Sequence, residues 1–131
     1  MDPSEAHVGT ETILLVEDED GVRDFVRRVL QRAGYRVLEA RNAGEALLVF
    51  EMHEGPIDLV LSDVVMPRVT GPQLVVRLRS LRRDLRALYL SGYSPDRIAT
   101  LGNADGDAVV SKPVAPDVLL RAVREVLDRE G

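Results

Sequence analysis

The stretch IDLVLSDVVMP, residues 57–67, decides the fold of this chain. Its apolar run from Ile57 to Leu61 predicts a strand buried on both faces, as strands inside a parallel sheet are. The run stops at Ser62-Asp63, and Val64 to Pro67 lead into a loop. A buried strand that ends in a carboxylate places a charge at the carboxyl edge of the sheet, where open parallel sheets bind ligands.

Further strands and helices alternate on either side of this stretch. Short apolar runs predict four more strands, at residues 13–16, 35–40, 87–90 and 107–110. Apolar residues at helical spacing predict helices at residues 22–33, 43–50, 71–81 and 118–127, and a short, weak one that begins at Pro95. Asp20 is a candidate N-cap for the first helix. We expect the segment from Ser94 to Asp107 to be mobile or irregular.

Strict alternation of strand and helix predicts one α/β domain. Buried strands that alternate with helices form a doubly wound, five-stranded parallel sheet with helices on both faces. The length of 131 residues fits a single domain and is enough to bury a core without metal or disulfide staples. We assign residues 12–131 to this domain and residues 1–11 to a leader or a cloning remnant.

The composition excludes several classes of function. The chain has no Cys, which excludes thiol catalysis, thiolate metal sites and disulfides. A net charge of −5 without a basic cluster argues against direct binding of nucleic acid. No apolar run approaches membrane-spanning length, and residues 1–11 lack the pattern of a signal peptide. We therefore expect a cytoplasmic protein that does not contact a membrane.

Four of the predicted strands end in polar or charged side chains. The first strand is followed by Glu17-Asp18, the third by Asp63, the fourth by Ser91 and the fifth by Lys112. If the strand order is 2-1-3-4-5, the first and fourth strands flank the third, about 5 Å to either side of Asp63. These ends then form a cluster of carboxylates with one hydroxyl and one ammonium group.

Such a cluster suits phosphoryl chemistry supported by a divalent cation. Close carboxylates repel one another, and Mg²⁺ prefers a few carboxylates together with water and phosphate oxygens. A phosphoryl group drawn to Asp63 would share its oxygens with Ser91 and Lys112, and an aspartate can act as the nucleophile that forms an acyl phosphate.

Each of these residues also has a purely structural interpretation. The acids of residues 17–20 could cap a helix and compensate its dipole, and Asp63 could cap a helix or turn. Ser91-Gly92 and Lys112-Pro113 could be ordinary turns. The occurrence of all four segments at one edge of the sheet favours a functional site.

Four motifs carry a resemblance to a known family. They are ILLVEDE (13–19), DLVLSDVVMP (58–67) together with Gly71, LYLSG (88–92) and VSKP (110–113). With them the chain resembles a response-regulator receiver domain of two-component signalling over roughly residues 11–129. It is most similar to receivers attached to hybrid sensor histidine kinases. The resemblance implies a flavodoxin-like fold with strand order 2-1-3-4-5.

The resemblance also implies a role for each site residue. Asp63 would be the phosphoacceptor. Glu17 and Asp18 would be the acidic pair that binds Mg²⁺ together with Asp63 and the backbone carbonyl of Val65. Ser91 would be the switch hydroxyl.

Further positions in the resemblance concern the phosphate and the switch. Lys112 would contact the phosphate, and the Lys112–Pro113 bond would be cis. Val65 and Tyr93 occupy the positions that admit or exclude the hydrolytic water, and two bulky groups there predict a long-lived phosphoryl state. The family's aromatic switch residue on the fifth strand is Val109 here, so the usual ring movement has no counterpart.

The expected function is that of a phosphoryl-accepting switch in a phosphorelay. A sensor histidine kinase or a phosphotransfer domain would donate the group, and a downstream target that the sequence does not identify would respond. The chain would catalyse only its own phosphorylation and dephosphorylation, as a monomer or weak dimer, and a parent hybrid histidine kinase is compatible with it.

Three other functions compete with this one. A haloacid-dehalogenase-type hydrolase would need a second Asp where Val65 stands. A nucleotide or flavin binder would need a phosphate loop after the first strand, where the acids of residues 17–20 lie instead. A pseudo-receiver that only docks partners would not need the intact site.

Overall fold

The computed structural model describes residues 8–92 and 107–129, and these contain one five-stranded parallel sheet. The strand order is β2-β1-β3-β4-β5, which confirms the predicted doubly wound, flavodoxin-like topology. The strands are β1 (Thr12–Val16), β2 (Arg36–Ala40), β3 (Leu59–Asp63), β4 (Arg86–Ser91) and β5 (Ala108–Ser111).

Helices cover both faces of this sheet. Those in the described residues are α1 (Asp20–Arg32), α2 (Ala43–Met52), α3 (Gly71–Leu81) and α4 (Pro116–Leu127). Helices α1 and α4 pack on one face, and α2 and α3 pack on the other. Because all five strands run parallel, their carboxyl ends lie together at one edge of the sheet.

The central strands are apolar on both sides because each face has its own core. In β1, Ile13 and Leu15 join the core under α1 and α4, whereas Leu14 and Val16 join the core under α2 and α3. All four side chains are fully buried. The continuous apolar run that predicted β1 is therefore the signature of a strand between two helix layers.

The third strand begins later than its apolar run predicts. It spans Leu59–Asp63 rather than residues 57–61, and Asp63 is paired in register with Leu90 of β4. Asp58 lies outside the strand, and its side chain accepts a hydrogen bond from the amide of Thr12 (2.8 Å). The parallel ladder with β4 continues to Asp63, so the phosphoacceptor candidate is the last residue of a strand and has a fixed backbone.

Asp20 is not the N-cap of α1. The cap position is Glu19, which makes no capping hydrogen bond through its side chain, and Asp20 is the first helical residue. Its carboxylate instead pairs with Arg23 one turn later (2.6 Å). A local ion pair has taken the place of the predicted cap.

Some predictions fall on residues outside the described ranges. These are the short helix from Pro95, the position of Tyr93 and most of the segment that follows Ser94. Asp107 is described, and both of its carboxylate oxygens accept hydrogen bonds from Arg79 (3.1 Å each). Of the described helices, none combines the length and the apolar character that a membrane crossing requires.

Candidate functional site

The carboxyl ends of four neighbouring strands bring the candidate residues together. Ser91, at the end of β4, is paired in register with Ser111 of β5. The amide of Lys112, the next residue, donates a hydrogen bond to the carbonyl of Ser91 (2.8 Å). The amide of Val64, directly after Asp63, donates to the carbonyl of Leu90 (2.9 Å). These ladder extensions fix the backbone of β3, β4 and β5 at the site.

Asp63 is buried, and its carboxylate has a cationic partner. Nζ of Lys112 donates a hydrogen bond to Oδ2 of Asp63 (3.1 Å), and the side chain of Lys112 is itself 18% exposed. Asp63 does not cap α3, because Thr70 and Gln73 form a complete capping box there. The capping interpretation of Asp63 is therefore wrong for this helix.

Three carboxylates lie next to one another at this edge. Glu17, Asp18 and Asp63 each offer an oxygen within 4.8 Å of the others, with Glu17 and Asp63 buried and Asp18 exposed. Oε1 of Glu17 is fully buried and accepts no hydrogen bond from any of the described residues. Nζ of Lys112 lies 2.8 Å from this oxygen, so the contact is an ion pair without hydrogen-bond geometry.

The cluster shifts the pKa of its two central groups. Burial raises the pKa of Glu17 to about 7; the Lys112 ammonium opposes this shift, and the neighbouring Asp63 adds to it. Burial lowers the pKa of Lys112, but the contacts with Glu17 and Asp63 outweigh it, so its net pKa is raised. Lys112 thus remains a cation among carboxylates that repel one another.

The donor set fits a hard divalent cation. All three side chains offer carboxylate oxygens, which Mg²⁺ prefers, and one exposed member leaves room for water or a phosphate oxygen. The burial of Glu17 and Asp63 is a second sign, since close carboxylates that are shielded from water repel one another unless a cation shares their charge. Glu17, Asp18 and Asp63 could therefore hold such an ion.

The remaining predicted residues differ in how close they are to this cluster. Ser91 is buried at the end of β4, beside the strand that carries Asp63. Val65 is 42% exposed, two residues after Asp63, and Tyr93 lies outside the described ranges. Val109 is partly buried against the core under α2 and α3. The peptide bond between Lys112 and Pro113 is cis.

The loop after β3 packs tightly against the backbone of Asp63. The amide of Gly71 donates to the carbonyl of Val64 (2.8 Å), and a Cβ atom on Gly71 would clash with the carbonyl oxygen of Asp63. Within the loop, Val69 donates to the carbonyl of Pro67 (2.8 Å) around Arg68, whose φ is 72°. Residues 67–69 therefore form a γ-turn. At the end of the loop, position 71 requires glycine because of its close approach to Asp63.

Sequence reasoning missed one residue that contacts the acidic segment, residues 17–20. Nη1 of Arg23 donates a hydrogen bond to the backbone carbonyl of Glu17 (2.9 Å). A signal existed, because a cation near the N-terminus of a helix opposes the helix dipole and so needs another reason to be there. The periodicity of α1 does not reveal that reason, since it marks only apolar positions.

The comparisons with known proteins agree with this geometry. The family model described as the response regulator receiver domain matches residues 13–124. The chain is 42% identical over 123 residues to the sensor kinase CckA of Brucella abortus, covering 93% of this chain and 13% of that protein. A crystal structure of the receiver domain of the hybrid histidine kinase CckA superimposes with a TM-score of 0.76 and 37% identity, covering 89% of this chain and 99% of that one.

A relative of similar length also matches. The chain is 32% identical over 116 residues to the response regulator receiver protein CpdR of Brucella abortus, covering 88% of this chain and 95% of that protein. The chain thus spans nearly all of one relative but only a small part of the sensor kinase. The similarity to the receiver of a hybrid kinase confirms the resemblance predicted from the motifs.

Proposed function

The chain belongs to the response regulator receiver domain family, and from this premise we propose that it is a phosphoryl-accepting switch in a two-component phosphorelay. The group comes from a phosphohistidine of a sensor histidine kinase or a phosphotransfer domain. It is transferred to Asp63, and the phosphorylated domain presents a changed surface to its downstream partner.

One observation carries this proposal. The carboxylate of Asp63 is held by Lys112 at 3.1 Å and lies within 4.8 Å of carboxylate oxygens of Glu17 and Asp18. A nucleophile, a fixed cation and an acidic pair for a divalent ion are thereby concentrated at one edge of the sheet. Each part answers a need of phosphoryl transfer, which depends mainly on positioning and charge stabilisation.

The transfer exchanges one bond to phosphorus for another. A carboxylate oxygen of Asp63 attacks the phosphorus, the bond from phosphorus to the imidazole nitrogen breaks, and the donor histidine leaves with that electron pair. The product is an aspartyl phosphate, an acyl phosphate. The ammonium group of Lys112 remains next to Asp63 and stabilises the negative charge on the phosphoryl oxygens. The hydroxyl of Ser91 binds one of these oxygens.

Glu17, Asp18 and Asp63, with the backbone carbonyl of Val65, would hold Mg²⁺. When bound, the ion supplies positive charge to the phosphoryl oxygens and neutralises the repulsion among the carboxylates. The fit of the donor set supports this assignment, since all three carboxylates lie close together and two of them are buried.

Val65 and Tyr93 tune the lifetime of the phosphoryl group. Val65 is 42% exposed beside Asp63 and carries no carboxylate or amide that could orient a water. A water that is not oriented attacks an acyl phosphate slowly, so the phosphorylated state is long-lived. Phosphate release with a half-life of seconds would contradict this assignment.

The remaining context is also part of the proposal. The domain spans residues 12–131, acts as a monomer or weak dimer in the cytoplasm, and has no catalytic activity beyond its own phosphorylation and dephosphorylation. Residues 8–11 are held to it by hydrogen bonds, such as that from Gly9 to the carbonyl of Ala33 (3.1 Å). The similarity to CckA supports a parent hybrid histidine kinase.

The deciding experiment is phosphorylation by a small acyl-phosphate donor. The chain is incubated with acetyl phosphate with and without Mg²⁺, and its intact mass is compared with that of Asp63→Asn. We expect a gain of one phosphoryl group that requires Mg²⁺ and is absent from the variant. No gain under any condition would contradict the proposal and would favour a pseudo-receiver that only docks partners.

A further inference from the structure

Arg23 connects the acidic segment to two other parts of the domain. Its Nη1 donates to the carbonyl of Glu17 (2.9 Å) and its Nη2 to the carboxylate of Asp20 (2.6 Å). Its Nε lies 3.7 Å from the carboxylate of Glu39 on β2. The side chain is only 15% exposed, and the guanidinium group is held in place by two hydrogen bonds and the ion pair with Glu39.

The contact with Glu17 completes the backbone bonding of that residue. The amide of Glu17 donates to the carbonyl of Ala40 on β2 (3.1 Å), and its carbonyl accepts from Arg23. The direction of a side chain is well defined only where its backbone is held in place. Arg23 therefore fixes the direction in which the carboxylates of Glu17 and Asp18 leave the end of β1.

We propose that Arg23 is a positioning residue, which acts through the backbone of Glu17 to hold the acidic pair in its metal-binding geometry. The inference rests on the proposed function of the site, because it concerns the affinity of that site for Mg²⁺. Groups that orient metal ligands without touching the ion commonly change metal affinity by about 10- to 100-fold when they are removed.

The sign of the effect separates positioning from simple electrostatics. A guanidinium group near a cation site repels the incoming ion, so its removal should tighten Mg²⁺ binding if charge were its only influence. Loss of positioning predicts the opposite change. Arg23→Lys adds a second distinction, because it keeps the charge but lacks the planar fork that makes both hydrogen bonds and the ion pair at once.

Arg27 offers a matched control one turn further along α1. Its Nε lies 3.3 Å from the carboxylate of Glu39, and it pairs with Asp24 three residues before it, as Arg23 pairs with Asp20. Arg27 differs in having no contact with Glu17 among those that the structure records for the described residues. Arg27→Ala therefore removes a similar ion-pair set and leaves the acidic segment alone.

The test is a titration of each variant with MgCl₂, followed by amide chemical shifts in ¹H–¹⁵N NMR spectra, which also show whether the variant is folded. We expect Arg23→Ala and Arg23→Lys to bind Mg²⁺ about tenfold more weakly than the unsubstituted chain. Arg27→Ala should stay within about twofold. In phosphorylation by acetyl phosphate, Arg23→Lys should need correspondingly more Mg²⁺ for half its maximal rate, while the rate at saturating Mg²⁺ changes little.

Each outcome decides a different question. Equal or tighter Mg²⁺ binding by folded Arg23 variants would overturn the positioning role, as would equal weakening by Arg27→Ala. If Arg23→Ala does not fold, the result for Arg23→Lys decides. Absence of Mg²⁺ binding by the unsubstituted chain would overturn both this inference and the metal site of the proposed function. Normal Mg²⁺ binding without a phosphoryl gain would overturn only the phosphoacceptor role of Asp63.

Discussion

Nζ of Lys112 and Oδ2 of Asp63 lie 3.1 Å apart, although 49 positions separate the two residues in the sequence. The same nitrogen is 2.8 Å from Oε1 of Glu17. One ammonium group thus serves two buried carboxylates, while Asp18 adds a third negative charge nearby. The site carries excess negative charge, which explains why it would recruit a divalent cation and why Lys112 competes with that cation for the same oxygens.

Replacement of Lys112 should separate metal binding from chemistry. In Lys112→Ala, we expect phosphorylation of Asp63 by acetyl phosphate to slow by about 100-fold, because a donor aimed at the transferred group is lost. Mg²⁺ binding should become tighter, because the ammonium no longer occupies Glu17 and Asp63. Initial rates at saturating Mg²⁺ and an MgCl₂ titration measure the two effects. Weaker Mg²⁺ binding would contradict the competition.

The raised pKa of Glu17 should make the metal-free domain less stable at alkaline pH. A carboxyl group whose pKa rises from 4.5 to about 7 on folding binds its proton more tightly in the native state. The ionised form therefore costs stability, and the cost appears as pH rises from about 4.5 through 7. With a chelator present, Glu17→Gln should be more stable than the unsubstituted chain by about 3.5 kcal/mol at pH 8, because the rise from 4.5 to about 7 corresponds to about 1.4 kcal/mol per pKa unit.

Urea unfolding at pH 8 and pH 5 checks this expectation. The stability difference should shrink at pH 5, where Glu17 is protonated in the folded state, and the variant should not bind Mg²⁺. Asp18→Asn is the control. This substitution also removes an acid of the cluster, but Asp18 is exposed, so no buried charge is lost. A difference that grows towards pH 5 would contradict the assignment.

Gly71 should tolerate no side chain, because of its approach to Asp63. A Cβ atom there would clash with the carbonyl oxygen of Asp63, and a backbone atom at the end of a paired strand cannot shift without a cost in stability. Gly71→Ala should cost roughly 1–3 kcal/mol in the free energy of unfolding and slow phosphorylation of Asp63. Gly21→Ala in α1 is the control, since a Cβ at Gly21 meets nothing within 4 Å. It should be neutral or slightly stabilising, because alanine is the better helix former.

The features that could be predicted from the sequence are those marked by the spacing of apolar residues or by the polar residues that follow a strand. Apolar runs located the strands, and the polar residues that follow them, such as Asp63 and Lys112, predicted the edge of the sheet at which the structure brings these side chains together. The exact start of β3 was mispredicted, because it depends on which residues of β4 offer ladder partners. The hydrogen bond from Arg23 to the carbonyl of Glu17 was also missed. Its signal is a cation in the first turn of α1, and a side chain that contacts backbone six residues away leaves no pattern in the apolar positions.

The ion pair between Arg124 and Glu11 should stabilise the fold at neutral pH, and this stabilisation should be lost at acid pH. Nη2 of Arg124 lies 2.7 Å from Oε2 of Glu11, and this hydrogen bond lowers the pKa of Glu11. A lowered carboxyl pKa contributes stability above the unfolded value of 4.5, and that contribution is lost as pH falls through the folded pKa. Arg124→Met should therefore lose about 1 kcal/mol at pH 7 and less at pH 3. In urea unfolding, Glu11→Gln should show the same pH trend, and adding it to Arg124→Met should cost little more; a loss that is equal at both pH values would contradict the ionic origin.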